Sequence, residues 1–153
     1  MIYYLYTPYK ASVRRKMMKQ RIKYLILPII TLILEILPYG VVLNFARPSQ
    51  NGEIGYFKEY YSYFDLMSWG YGNVFPMLTA CLTCVILGLL VHYCVKGSLG
   101  KVISIKAILG LAAFFSIFPM VLMGIKYITL VGVLVTITLI AELLLLQFTI
   151  KIK

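Results

Sequence analysis

Leu25-Ile-Leu-Pro-Ile-Ile-Thr-Leu-Ile-Leu34 and Leu130-Val-Gly-Val-Leu-Val-Thr-Ile-Thr-Leu-Ile140 are apolar on every side of a helix. A helix in a water-soluble core shows a polar face at about 3.6-residue spacing, and these stretches show none, so their solvent is lipid. Working outward from them gives four apolar runs, at residues 24–45, 72–95, 106–125 and 127–148. At about 1.5 Å per residue, each is long enough to cross about 30 Å of hydrocarbon. Composition agrees: with 61% hydrophobic and only 13% charged residues, little is left over for a water-facing surface. The chain therefore reads as an all-α integral membrane protein. Residues 1–153 form one unit of four antiparallel transmembrane helices, with a loop at 46–71, short turns between the later spans and no soluble domain.

The cations set the orientation. Lys10, Arg14, Arg15, Lys16, Lys19, Arg21 and Lys23 precede the first run, Lys96, Lys101 and Lys106 lie between the second and third, and Lys151 and Lys153 end the chain. The opposite side carries Arg47, Lys58 and Lys126. Twelve against three puts both termini in the cytoplasm and the 46–71 loop outside. The net charge of +10 is thus a consequence of topology. Nucleic-acid binding would require a soluble basic domain, and the tails are too short to be one. The first run, at 22 residues, exceeds a signal-peptide core, and Asn44 and Phe45 spoil a small-x-small cleavage site after Ala46. Cys81, Cys84 and Cys94 all lie in the second run, and the chain has no Asn-x-Ser/Thr acceptor and no lipidation signature. Together with Lys- and Ile-rich usage, this points to a bacterial plasma membrane.

The flanks carry surface signals. Val13, Met17, Met18 and Ile22 share one side of a short juxtamembrane helix, and Arg14, Arg15, Lys16, Lys19, Arg21 and Lys23 supply its charge. Each cation near anionic inner-leaflet lipid is worth about 1 kcal/mol. Pro28 cannot donate to the Tyr24 carbonyl, which marks where a surface helix turns into the membrane. The outer loop opens on the turn-forming Arg47-Pro-Ser-Gln-Asn-Gly52. Beyond it, Lys58, Glu59, Ser62 and Asp65 recur at helical spacing among Tyr56, Phe57, Tyr60, Tyr61, Tyr63, Phe64 and Met67, which predicts an amphipathic aromatic helix in the outer interface.

Polar residues inside the runs are the candidate sites. Glu35 stands eleven residues into its run, about 16 Å deep and near the bilayer midplane. An ion there costs several kcal/mol, so it is expected to be protonated or to hold a cation. Pro38 removes a hydrogen bond to the Leu34 carbonyl, Gly40 loosens the backbone, and depth counting brings Thr83 and either Thr136 or Thr138 within reach. Such clusters hold protons or small cations in transporters with broken helices. The plainer alternative is a neutral acid bonding between helices. Glu142 and His92 lie at similar depths near the cytoplasmic side, close enough to pair, although Glu142 can also snorkel to water.

Cys81-Leu-Thr-Cys84 resembles the Cys-x-x-Cys centre of quinone-linked, four-span disulfide-forming oxidoreductases. That resemblance implies thiol-disulfide exchange at Cys81 and Cys84. The family's second cysteine pair, in an outer segment, has no counterpart here. The same residues also read as packing: Ala80, Cys84 and Gly88 form a small-residue stripe, matched by Ala112 with Ser116 and by Gly132 with Thr136.

No nucleotide-binding, metal-ligating or nucleophile-base pattern stands out, so no cofactor, metal or enzymatic activity is expected. Three function classes follow in order. They are a non-enzymatic accessory or assembly subunit working through another membrane protein or a second copy, a proton- or cation-coupled carrier using Glu35, and a membrane thiol-disulfide oxidoreductase.

The charge asymmetry makes the first prediction. In a background where the native cysteines are Ala, Ser49→Cys should react with a membrane-impermeant thiol reagent added to whole cells, and Ser12→Cys should not. The reverse labelling pattern would invert the topology.

Overall fold

The computed structural model describes residue 18 and residues 21–48, 54–65, 74–96, 100–124 and 128–151. A single 3-10 turn at Lys23–Leu25 leads into a short helix, α1 (Ile26–Ile36). Two strands, β1 (Val41–Pro48) and β2 (Ile54–Tyr61), follow, and then three long helices, α2 (Val74–Lys96), α3 (Gly100–Met123) and α4 (Leu130–Lys151). The long helices contain windows of mean hydropathy 2.5, 2.1 and 2.3, long and apolar enough to cross a membrane. The chain is accordingly a multi-pass membrane protein. Arg14, Arg15, Lys16 and Lys19 of the expected basic surface helix lie outside the described residues.

The first of the four expected spans is not a full-length helix. α1 has 11 residues and covers about 16 Å, half a bilayer. It stops because Leu37 precedes Pro38: ring sterics push that residue out of the helical region, to φ −64°, ψ 139°. The Leu34 carbonyl, expected to be free beside Pro38, instead accepts the Leu37 N–H at 3.2 Å.

The expected aromatic interfacial helix is also replaced. Residues 54–61 form β2, paired antiparallel to β1 from Val41 opposite Tyr61 to Pro48 opposite Ile54. Val41-Val-Leu-Asn-Phe45 and Tyr56-Phe57 are rich in β-branched and aromatic residues, which suit a pleated ribbon. Phe45 stacks on Phe57 across the pair at 5.6 Å. Only the base of the hairpin is held: Val42 and Leu43 are buried, whereas residues 55–60 are exposed.

The four helices close a ring in which α1 packs on α2 and α4, α2 on α3, and α3 on α4. α1 and α4 are antiparallel. Thr31 on α1 meets Thr138 on α4, and Gly40, beyond the end of α1, meets Thr129 at the start of α4. The hairpin therefore sits at one end of the bundle, while Arg21, Lys23, Lys96 and the C-terminus of α4 share the other. Arg21 fixes that basic end, its guanidinium lying 5.2 Å over the Tyr93 ring of α2.

The buried faces carry small and hydroxyl residues as well as Leu and Ile, the reverse of a soluble bundle. α2 buries Thr79, Ala80, Thr83, Ile86 and Leu90 at three- and four-residue spacing. In lipid, apolar contact alone does not favour the inside, so close approach and hydrogen bonds choose the face. α3 ends on Gly124 at φ +79°, a left-handed position that favours glycine.

Gly40 shows how tightly the break in α1 is packed. A Cβ there would come within 2.6 Å of Tyr63 Cδ2 and 2.8 Å of Cε2, and Tyr63 is itself buried. Gly40→Ala should lower stability by about 1–3 kcal/mol, read by thermal unfolding in detergent. The loss should shrink in a Tyr63→Ala background, where the clash is absent.

Candidate functional site

Thr31 and Glu35 are four residues apart on α1 and so share one face, and both are fully buried. Glu35 meets α2: the Thr83 hydroxyl donates to its Oε1 at 2.8 Å. Thr83 Oγ1 also lies 3.1 Å from the carbonyl of Thr79. Thr83 has one proton for these two acceptors. A neutral Glu35 can donate to Thr83 and leave that proton for Thr79, whereas an ionised one must take it. Glu35 Oε2 is buried with no hydrogen-bond partner among the described residues.

The backbone around Glu35 is closed by partners from distant segments. The Glu35 carbonyl accepts the Tyr63 N–H at 3.0 Å, and the Gly40 carbonyl accepts the Thr129 hydroxyl at 2.7 Å. Thr129 Oγ1 in turn accepts the Gly132 N–H at 2.9 Å, capping the start of α4. One threonine thus ties the break in α1 to the first turn of α4. Gly132 lets the two backbones approach, since a Cβ there would stand 3.3 Å from the Gly40 carbonyl oxygen.

Thr136 and Thr138 do not reach Glu35. Thr136 pairs with Ser116 of α3 at 2.7 Å, and Thr138 pairs with Thr31 of α1 at 2.9 Å. Depth counting treated α1 and α4 as facing each other at Glu35, but the face of α1 that meets α4 does so one turn earlier, at Thr31. Thr31 was missed in the sequence because it sits within an apolar run. Its spacing of four from Glu35, repeated in Thr79 with Thr83 and in Thr138 with Glu142, is the signal that would have found it.

Glu142 is buried on α4, and neither carboxyl oxygen has a hydrogen-bond partner among the described residues. It therefore makes no hydrogen bond with His92, which is half-buried on α2. Snorkelling is also excluded for this conformation, because the carboxyl lies inside the bundle.

The α2 small-residue stripe divides. Ala80 is buried, while Cys84 and Gly88 are exposed, and a Cβ at Gly88 would meet nothing within 4 Å. Cys81 is likewise exposed, and both it and Cys84 are free thiols. Beyond Ala80, the stripe is not packed against another helix among the described residues. Ala112, Ser116, Gly132 and Thr136 are buried, and Ser116 pairs with Thr136 between α3 and α4.

The Glu35–Thr83 bond generates a prediction. Thr83→Val should cost about 0.6–2 kcal/mol by deleting the donor, whereas Glu35→Gln, whose amide oxygen can still accept from Thr83, should stay within about 1 kcal/mol of wild type. Thermal unfolding in a mild detergent measures both. A Thr83→Val variant as stable as wild type would mean that the bond contributes nothing.

Comparison with protein-family models, with curated proteins and with solved structures finds no match. Functional inference for this chain rests on its own residues.

Proposed function

We propose that the chain is a non-enzymatic accessory or assembly subunit of a plasma-membrane complex, docking through the outward face of α2. One contrast carries this reading. The outward faces of α1, α3 and α4 bear bulky side chains, such as Ile26, Ile29 and Ile33, then Leu111, Phe114 and Ile117, then Leu134, Ile137 and Leu144. The outward face of α2 bears Cys81, Cys84, Val85, Gly88 and Val91. A helix lined by small and β-branched side chains offers a shallow groove into which another transmembrane helix can pack at close range, which lipid tails do not require. The groove runs through the middle of a 23-residue span, the depth at which a partner's own span lies.

Orientation follows from the same arrangement. The basic end of the bundle lies in the cytoplasm, where Arg21, Lys23 and the preceding cations engage anionic lipid, and the hairpin faces outward. The α1 segment then completes a fourth crossing, as a half-helix followed by extended chain, and both termini are cytoplasmic. The occupant of the α2 groove is a span of a different membrane protein or of a second copy. In either case the chain's work is done through that contact.

Gly88→Leu fills the groove with a long side chain, whereas Cys81→Ala with Cys84→Ala keeps it shallow. Extracted in mild detergent, the wild-type chain should run in an assembly larger than one copy, and the double Ala variant should match it. Gly88→Leu should run alone with an unchanged melting temperature. A wild-type chain that is already single, or a Gly88→Leu variant that stays assembled, would defeat the proposal.

A further inference from the structure

Two buried carboxyls inside one bundle, presenting three oxygens without a hydrogen-bond partner among the described residues, demand an explanation beyond helix packing. Glu35 is 0% exposed with Oε2 unpartnered, and Glu142 is 2% exposed with both oxygens unpartnered. Buried polar atoms in a folded protein nearly always have partners, and each exception points to a ligand, water or ion at that place.

Their positions are linked. Thr31 Oγ1 and Thr138 Oγ1 meet at 2.9 Å across the seam between α1 and α4. Glu35 follows Thr31 by four residues on α1, and Glu142 follows Thr138 by four on α4. Because these helices are antiparallel, the two carboxyls lie on opposite sides of the hydroxyl pair, Glu35 towards the hairpin end and Glu142 towards the basic end. Each is displaced by one turn, about 6 Å along the axis. One water bridging two O–H···O bonds spans about 5.5 Å, comparable with that rise. We infer that the α1/α4 seam binds and passes protons, with Glu142 and Glu35 as the accepting carboxyls and the Thr31–Thr138 hydroxyls between them.

The hydroxyl pair is suited to this. Thr31 Oγ1 lies 3.0 Å from the Leu27 carbonyl and Thr138 Oγ1 lies 2.8 Å from the Val135 carbonyl, so each O–H can turn between a backbone acceptor and the seam. A transfer breaks one O–H bond and forms another. No electron moves, and the carboxyl that gives up its proton stays anionic until the next arrives. The titratable groups beside Glu35 are Tyr63 and Cys84. Towards the basic end, the segment leading into α1 contributes Arg21 and Tyr24, α2 contributes His92, Tyr93 and Cys94, and α3 contributes Lys106. This activity lies inside the bundle and is independent of the α2 groove.

The test uses the purified full chain in vesicles of neutral lipid that enclose a pH-sensitive dye, with a potassium diffusion potential imposed through valinomycin. Wild type should acidify the lumen faster than protein-free vesicles. Glu142→Gln and Glu35→Gln should each fall to the protein-free rate, and Thr31→Val with Thr138→Val should slow the flux while the fold is retained. A wild-type rate equal to that of protein-free vesicles, Gln variants that conduct like wild type, or flux carried by sodium in place of protons would each overturn the inference. Infrared spectra of wild type guard against Gln variants that fail to fold. Protonated-carboxyl C=O bands that shift in D2O are expected alongside flux, and bands that never exchange would show two static acids and overturn it.

Discussion

A backbone that leaves the helix inside a bilayer must find partners for its own N–H and C=O groups, because hydrocarbon supplies none. That constraint organises the hairpin end of this protein. Pro38 ends α1 after 11 residues, and three carbonyls around the ending each find a donor. Leu34 is answered by Leu37 within the chain turn, Glu35 by the Tyr63 N–H, and Gly40 by the Thr129 hydroxyl. The last two bonds recruit the segment after β2 and the start of α4, which are remote in sequence. Gly40 has no side chain because the Tyr63 ring occupies that space. Those three carbonyls and Gly40 are thus held against protein, while the side chains of Leu37, Pro38 and Tyr39 between them stay exposed.

The same rule explains the unusual polarity of the helices. Thr31, Thr79, Thr83, Ser116, Thr129 and Thr136 are all buried, while Ile, Leu, Val and Phe dominate the outside. Several of these hydroxyls can bond back to the carbonyl one turn before, as Thr79 does to Phe75 and Thr83 to Thr79. That bond satisfies the hydroxyl before any partner helix arrives, and a second contact then fixes which helices meet. Thr31 with Thr138 sets α1 against α4, Ser116 with Thr136 sets α3 against α4, and Thr83 with Glu35 sets α2 against α1. Three hydroxyl contacts thus specify the neighbours in a bundle whose greasy surfaces would accept almost any arrangement.

The three long helices were legible in the sequence because a window of about twenty apolar residues has one physical solution in lipid. The first run misled for a definite reason. Its apolar length was counted across Pro38 and Gly40, so that Val41-Val-Leu-Asn-Phe45, whose β-branched and aromatic residues favour a strand, was absorbed into a helix. The aromatic segment after Gly55 failed similarly. Polar residues at positions 58, 59, 62 and 65 match a helical period, yet Lys58 and Glu59 fall in β2 opposite Asn44 and Leu43, and strand pairing decided the outcome. At the site, depth counting along the apolar runs joined Glu35 and Thr83, and the hydroxyl does meet the carboxyl. Thr138 could not, since depth says nothing of which face of a helix a residue occupies.

The break in α1 and the buried acids belong together. A continuous helix through Pro38 would carry its own hydrogen bonds to the membrane surface and leave Glu35 as an isolated polar side chain. Ending the helix one residue after Glu35 gathers backbone carbonyls, the Tyr63 amide and threonine hydroxyls at that level, a polar neighbourhood in which a carboxyl is less costly than in hydrocarbon. Glu142 has no comparable break beside it, since α4 continues as helix to Lys151, and neither of its oxygens has a hydrogen-bond partner among the described residues. A buried acid without such a partner is costly in purely structural terms, because Leu or Ile would pack the same space at lower cost. Its cost makes sense if the group exchanges protons. Glu142 stands nearer the basic end and Glu35 nearer the helix break, one on each side of the Thr31–Thr138 pair.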